Sequence, residues 1–315
     1  MPTAVATMWQ ENEVGGISIF HDGAAGALNT GGWIEDDSPG YSTTMTFQDP
    51  TIGRGHLLST QILIGAANKI LNVDAPLIIS SQLVLRDIGD QPLDFHGKLV
   101  FSNGGSLATA TIPLTHMSPG DIQHIDLNVL KATTGIPAVY VSASISLEYS
   151  GKNGSLMGRV YGASADRAYG FYWALQPFAS ASYSESFWTI AGSWAPILTV
   201  ANVGTHADNV TVELTTNVGA YILPAFNLQV SESRTINIRT LVNSGTLDVS
   251  GKAFPQNVTY GGYRINGASR QSQLVVKEHL IDPDTKLATP FYGEVVYDVY
   301  LYFIPNDSPS EGHSL

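Results

Sequence analysis

Short runs of alternating apolar and polar residues, such as His124-Ile125-Asp126-Leu127 and Thr235-Ile236-Asn237-Ile238, follow one another along this chain. Because successive side chains of a β-strand point to opposite faces of a sheet, alternation with a period of two predicts half-buried strands. Turn signals such as Asn103-Gly104-Gly105 and Ser118-Pro119-Gly120 separate the runs. The pattern predicts an all-β protein, with one short helix at residues 65–71.

The same pattern occurs twice in the chain. Leu83 to Gly89 matches Leu198 to Gly204, 115 positions later, and the same offset brings Phe95 to Leu99 onto Val210 to Leu214. A unit of this length is the size of a small β-sandwich domain. The sequence therefore predicts two tandem β-sandwich domains, with an N-terminal extension packed on the first and a flexible tail. The predicted boundaries are 1–55 for the extension, 56–180 and 181–305 for the two domains, and 306–315 for the tail.

Three segments of the second unit resemble a known family. A strand ends in Asn202-Val203-Gly204, a Leu223-Pro224 turn follows, and Ser233-Arg234 leads into Ile236-Asn237-Ile238. This arrangement is similar to the immunoglobulin-like repeats of bacterial secreted and cell-surface proteins. The resemblance implies two tandem immunoglobulin-like sandwiches with surface, adhesive or accessory roles, and it transfers no catalytic residue. The first unit differs in carrying Asp87 where the second carries Asn202.

Composition narrows the choice of partners and compartment. Charged residues make up 13% of the chain, its net charge is −12, and it contains no cysteine. Phosphate binding needs clustered Lys and Arg, so nucleic acid is not an expected partner. Missing thiols exclude disulfides and thiolate metal sites. No apolar stretch approaches the ~20 residues of a membrane-spanning helix. We expect an extracellular or cell-surface protein whose signal peptide is not part of this chain.

No catalytic motif stands out in the sequence. The chain has no His-Glu-x-x-His, no Gly-x-Ser-x-Gly and no P-loop, so we expect no enzyme and no cofactor. Calcium is the strongest of the weak metal signals, because Asp282-Pro283-Asp284-Thr285 and Glu35-Asp36-Asp37 bring oxygen ligands together in predicted loops. Neither segment matches a known calcium loop, and acids that border turns are the simpler interpretation.

Aromatic residues supply the candidate interface. Several of them lie close to the predicted domain boundary, where they fill the cores and the seam or form an exposed stacking surface. Others belong to the apolar run Val295 to Ile304, which is either the last strand of the second domain or an edge that pairs with another molecule. The candidate residues are Tyr169, Tyr172, Trp173, Trp188, Trp194, Tyr297, Tyr300 and Tyr302.

Together these features predict a non-enzymatic extracellular structural protein. We expect it to form homo-oligomers or polymers, in a surface layer, fibre or adhesive structure, through sandwich faces and strand edges. The alternative is a carbohydrate-binding surface module whose aromatic platform, formed by Trp173, Trp188 or Trp194, contacts a glycan.

Overall fold

The computed structural model describes residues 31–36, 41–46, 55–73, 77–166, 169–177 and 182–291, with the backbone alone at 31–36, 41–46 and 289–291. All of them belong to one compact unit, residues 31–315. The predicted strand Val295 to Ile304 and the predicted tail lie outside the described residues, as does most of the predicted N-terminal extension.

Strands dominate the described part of the chain, and its helices are short. The strands are β1 Gly31–Asp36, β2 Tyr41–Thr46, β3 His56–Leu63, β4 Gly65–Ala66, β5 Ile78–Asp87, β6 Leu93–Asn103, β7 Ser106–Met117, β8 Ile122–Asp126, β9 Ser142–Tyr149, β10 Leu156–Ser164, β11 Gly170–Pro177, β12 Tyr183–Thr189, β13 Ala195–Asn202, β14 Asp208–Thr216, β15 Gly219–Ile222, β16 Phe226–Leu228, β17 Ser233–Asn237, β18 Tyr260–Asn266, β19 Leu274–Asp282 and β20 Leu287–Phe291. The helices are α1 Asn68–Leu71, α2 Leu127–Thr133 and α3 Ile238–Asn243. The predicted all-β class is confirmed.

In the N-terminal half, β3 to β11 form one antiparallel sheet in the order β4-β5-β10-β11-β3-β9-β6-β7, with β8 paired to β5. Strand β11 joins its two parts, because Gly170 to Leu175 pair with β10 while Gln176 and Pro177 pair with β3. Leu83 of β5, Leu99 of β6 and Ile145 of β9 belong to one buried core. We call the two parts the β5 sheet (β4, β5, β8, β10, β11) and the β9 sheet (β3, β9, β6, β7).

The C-terminal half contains two antiparallel sheets around a second core. The β13 sheet has the order β17-β13-β19-β20, and the β18 sheet has the order β12-β18-β14-β15 with β16 paired to β14. Leu198, Val212, Leu214 and Tyr263 contribute to this core. The strand order corresponds to that of the N-terminal half, where β8-β5-β10-β11 and β3-β9-β6-β7 occupy the same places.

Matching turns end β5 and β13. Asp87 Oδ1 accepts the backbone N–H of Gly89 at 2.8 Å, and Asn202 Oδ1 accepts that of Gly204 at 2.9 Å. Asn202 also donates from Nδ2 to the carbonyl oxygen of His206 at 2.8 Å and to that of Leu228 at 3.1 Å. Both side chains are buried. The Asp/Asn difference between the units therefore changes the partners of one side chain within a shared turn.

Helices α2 and α3 follow β8 and β17 directly. The Asp126 carboxylate caps α2 by accepting from the backbone N–H groups of Asn128 and Val129, and Asn237 caps α3 by accepting from that of Thr240. Such caps satisfy amide groups that have no partner inside the helix. The sequence pattern predicted neither helix. The apolar-polar alternation of β8 continues to Leu127, the first residue of α2, and that of β17 continues to Ile238, the first residue of α3.

The sequence pattern also predicts one strand at Tyr221 to Val230 and another at Thr246 to Ala253, and both differ from the structure. Tyr221 to Val230 is split into β15 and β16, since Pro224 has no N–H to donate to a ladder. The prediction for Thr246 to Ala253 is wrong: this segment forms a single bridge, between Leu247 and Ala253, around a turn at Asp248. Among the described residues, no helix is long and apolar enough to cross a membrane.

The different partners of Asp87 and Asn202 generate a prediction. Asn202→Asp removes two donated hydrogen bonds and turns a carboxylate toward two carbonyl oxygens, so we expect the free energy of unfolding to fall by about 2–3 kcal/mol. Asp87→Asn keeps the oxygen that accepts from the Gly89 N–H, so we expect the free energy of unfolding to change by less than about 1 kcal/mol. Urea unfolding followed by circular dichroism measures both, and equal effects of the two substitutions would contradict the assigned partners.

Candidate functional site

Strand β13 is covered on both faces. All eight residues of β13 are buried, which is unusual for an antiparallel sheet and typical of a strand between two layers. Leu198 and Val200 belong to the C-terminal core, whereas Ile197 belongs to the core of the N-terminal half, together with Ile281 of β19. The two halves therefore share a buried junction.

Gln61 is the polar centre of this junction. It lies in β3 where the register with β9 shifts between Ser59 and Ile62, and its φ of 65° is in the left-handed region. Its buried amide Nε2 donates to the carbonyl oxygen of Ile197 at 2.7 Å. Its Oε1 is bonded to Nδ1 of His279 at 2.5 Å, and because an amide oxygen only accepts, the imidazole is the donor. The bulge thus aims one side chain at two strands of the other half.

His279 is a structural hydrogen-bond donor. Burial lowers the pKa of His279 to about 3, the Tyr172 carbonyl raises it slightly and the Lys277 charge lowers it further. Its ring lies 5.6 Å from that of Trp173 and 6.1 Å from that of Phe171, measured between ring centres. A general base works best with a pKa near the working pH. This imidazole stays neutral and sealed, so it holds the junction instead of exchanging protons.

A second polar contact crosses the junction. Lys277 Nζ donates to Oε1 of Gln176 at 3.1 Å, which connects β19 to the end of β11. Burial lowers the pKa of Lys277 to about 8. A crevice lined by Gln61, Trp173 and His279 among others has no room for a water molecule. The described part of the junction is therefore closely packed around these side chains.

Glu278 is buried on the opposite face of the same strand. It is 1% exposed and lies beside Leu198 in the C-terminal core. Burial raises the pKa of Glu278 to about 8, against a smaller lowering by the Tyr263 hydroxyl. In the N-terminal half the corresponding residue is Val160, which pairs with Leu83 as Glu278 pairs with Leu198. One half thus carries a titratable group where the other is apolar.

Four of the five predicted aromatic candidates that the structure describes lie inside the protein. Tyr169, Tyr172, Trp173 and Trp188 are each less than 9% exposed, so none of them offers an open ring face. Trp194 is partly exposed, and its backbone carbonyl accepts from Arg239 Nε at 2.7 Å. Tyr297, Tyr300 and Tyr302 lie outside the described residues. The sequence did not single out Gln61 or His279, although Lys277-Glu278-His279 is a polar triplet in a largely apolar strand. For the Glu278 carboxylate the sequence favours a solvated strand face, and this prediction is wrong, because Glu278 is buried.

Asp282, one of the predicted calcium ligands, forms hydrogen bonds with neighbouring protein groups. The Asp282 carboxylate accepts from the hydroxyls of Ser193 and Thr285 and from the backbone N–H of Asp284. No group of three or more His, Asp or Glu side chains in the described part of the chain could hold a metal ion. The side chains of Glu35 and Asp36 and all of Asp37 lie outside it. The turn at Asp282 is explained by its internal hydrogen bonds.

Glu278 generates a prediction on pH dependence. Between pH 4.5 and about 8 the folded protein holds a proton that the unfolded chain releases, so this group makes stability fall as pH rises. The slope is at most about 1.4 kcal/mol per pH unit. Glu278→Gln cannot ionise, and we expect it to remove this slope.

Urea unfolding at pH 5, 6, 7, 8 and 9 measures the free energy of unfolding of Glu278→Gln and of the unsubstituted protein as a function of pH. Glu185→Gln, at a partly exposed carboxylate in β12, is the matched control and should follow the unsubstituted protein. Parallel pH profiles for Glu278→Gln and the unsubstituted protein would show that the buried carboxyl does not titrate in this range.

Comparisons with known proteins extend this description. No protein-family model matches the chain, and no curated protein matches it. Among solved structures it is similar to a protein from Parabacteroides distasonis ATCC 8503 described as a "putative secreted protein", with 10% sequence identity and a TM-score of 0.23. The match covers 82% of this chain and 88% of the other. At that TM-score it carries no argument about the fold or the function of this chain.

Proposed function

We propose that this protein is a non-enzymatic extracellular structural protein that assembles with copies of itself into a surface layer, fibre or adhesive structure. In this proposal the chain consists of two copies of one immunoglobulin-like β-sandwich in a fixed relative orientation. The observation that carries it is the junction, in which strand β13 is buried between both cores. The extracellular location rests on composition, with 13% charged residues and no cysteine.

Hydrogen bonds at corresponding positions of the two halves support the proposal that the chain contains two copies of one unit. The backbone N–H groups of Asp87 and Asn202 donate to the carbonyl oxygens of Asp121 and Glu232, which precede β8 and β17 respectively. The capping residues Asp126 and Asn237 then follow at the ends of these strands. Such details recur together when one supersecondary unit is repeated.

The junction supports a structural role. Domains joined by a small polar interface move relative to one another, whereas a large apolar interface fixes them. Here Ala195, Ile197 and Ile281 lie in the core of the other half, and His279 Nδ1 donates to Gln61 Oε1 inside it. A rigid pair of sandwiches can carry load and set spacing in an assembly. Glu278 and His279 are buried, so no substrate reaches them.

Strand β7 supports assembly. It is the last strand of the β9 sheet, so one side of its backbone has no strand partner within this sheet. Leu114 on β7 is 72% exposed and Leu107 is 39% exposed. Exposed edges with apolar side chains pair readily with another chain, although Pro113 limits the free run to Ser106 to Ile112. This edge is the contact we assign to self-assembly.

The junction generates a prediction on cooperativity. His279→Ala leaves the Gln61 carbonyl oxygen without its donor and opens a cavity, so we expect a loss of about 2–4 kcal/mol in unfolding free energy. We also expect the unsubstituted protein to unfold in one calorimetric transition and His279→Ala to unfold in two, because the halves of the variant no longer stabilise each other. His206→Ala, at an exposed turn, is the control. A single transition at unchanged temperature would contradict the role given to His279.

Assembly is tested with the full chain by sedimentation and negative-stain microscopy over a range of concentrations. We expect ordered oligomers or polymers, and we expect the double substitution Leu107→Lys and Leu114→Lys to abolish them without changing the melting temperature. Val139→Lys, at another exposed apolar residue, is the matched control. Monomers at every concentration would contradict the proposed function.

A further inference from the structure

The outer face of the β18 sheet differs from the rest of the described surface. Tyr263 and Ile265 of β18 point into the core. Because alternate residues of a strand face opposite sides, Tyr260, Gly262 and Arg264 lie on the outer side of the sheet. Register places Phe187 of β12 opposite Gly262. We call Glu185, Phe187, Glu213, Thr215, Tyr260, Gly262 and Arg264 the outer face.

Two aromatic rings of this face are open to solvent. Phe187 is 75% exposed and Tyr260 is 63% exposed, and no other Phe, Tyr or Trp in the described part of the chain is counted among its exposed large apolar side chains. They lie on neighbouring strands in a diagonal relation, since Phe187 is opposite Gly262 and Tyr260 is opposite Thr189. Gly262 has no side chain to cover the Phe187 ring. Exposed apolar groups gathered on one face mark a binding site more often than scattered ones do.

Planar charged groups lie next to these rings. Arg264 is opposite Glu185 on one side and Glu213 on the other, and its Nη2 is 3.3 Å from Glu185 Oε2. One guanidinium and two carboxylates leave this region with one net negative charge. A polyanion would be repelled there, and a cation would compete with Arg264. The charges therefore suit a neutral ligand that both donates and accepts hydrogen bonds.

We propose that the outer face binds a neutral glycan chain. Phe187 and Tyr260 pack against the apolar C–H faces of sugar rings, and Arg264, Glu185 and Glu213 hydrogen-bond to hydroxyl groups. From Tyr260 to Arg264 the strand advances by four residues, about 13 Å, so the site takes an oligosaccharide segment. This binding function is additional to the structural role and does not depend on self-assembly.

The equivalent face of the N-terminal half lacks these features. By the 115-residue offset between the units, Lys98 corresponds to Glu213, and Ser146, its partner in β9, corresponds to Arg264. Ser144 and Ser142 then take the places of Gly262 and Tyr260. His96 and Glu148, with Nε2 3.7 Å from Oε2, lie one pair further along, at the positions of Thr211 and Asn266. None of the exposed aromatic side chains lies there among the residues described. The glycan site therefore belongs to the C-terminal half alone.

The test is affinity electrophoresis of the full chain through gels that contain a soluble neutral polysaccharide: β-glucan, xylan, galactomannan or dextran. Carboxylated polygalacturonate serves as the charged comparison. We expect retardation by at least one neutral polymer, and a loss of about tenfold in affinity for Phe187→Ala or Tyr260→Ala. Val139→Ala, at an exposed apolar residue of the N-terminal half, should bind as the unsubstituted protein does. Melting temperatures show whether each variant is folded.

Three outcomes would overturn the proposal. These are no retardation by any neutral polymer, retention of binding by both aromatic variants, and stronger binding to polygalacturonate than to the neutral polymers. If Phe187→Ala abolishes oligomers in sedimentation while no glycan binds, the outer face is a contact between copies of this chain. In that case the glycan site fails and the structural function stands.

Discussion

The burial of strand β13 on both faces is the constraint on which the rest of the structure depends. A two-layer sandwich needs only one apolar face per sheet, yet adjacent residues Ile197 and Leu198 enter different cores. Water is excluded from both sides of this strand, so a polar group packed against it is stabilised by a partner inside the protein. The bulge at Gln61 supplies one such partner, because it turns an amide side chain toward Ile197 and His279.

The same burial explains the unusual titration of β19. Burial lowers the pKa values of Lys277 and His279 and raises that of Glu278, so all three shift toward the uncharged form. Lys277 and His279 face the junction and Glu278 faces the C-terminal core, because neighbours in a strand point to opposite sides. Glu278 and His279 are thus uncharged inside the protein at pH 7, whereas Lys277, with a pKa of about 8, keeps its proton and its hydrogen bond to Gln176. The titration of these three groups is coupled to the free energy of unfolding. None of the three side chains is placed to contact a substrate.

The two halves agree in their framework and differ on their surfaces. The turns at Asp87 and Asn202 and the caps at Asp126 and Asn237 use the same backbone groups in each half. The outer faces, by contrast, carry histidine and lysine in one half and Phe187 with Tyr260 in the other. Framework residues are held by geometry that any copy needs, whereas an outward side chain changes without disturbing the core. New binding functions therefore arise most readily on such faces.

The sequence by itself determined the all-β class and the positions of most strands, because alternation and turn residues are local signals. The repeat in the sequence also aligns Leu83 with Leu198. The sequence did not determine which aromatic residues are exposed. Trp188 and Phe187 are neighbours in one strand, so one must be buried and the other exposed.

Only the tertiary structure decided between them, since the answer depends on which face of β12 meets the core. It also decided the roles of Gln61 and His279. These residues are 218 positions apart, and no local pattern records that a bulge in one half reaches a buried imidazole in the other.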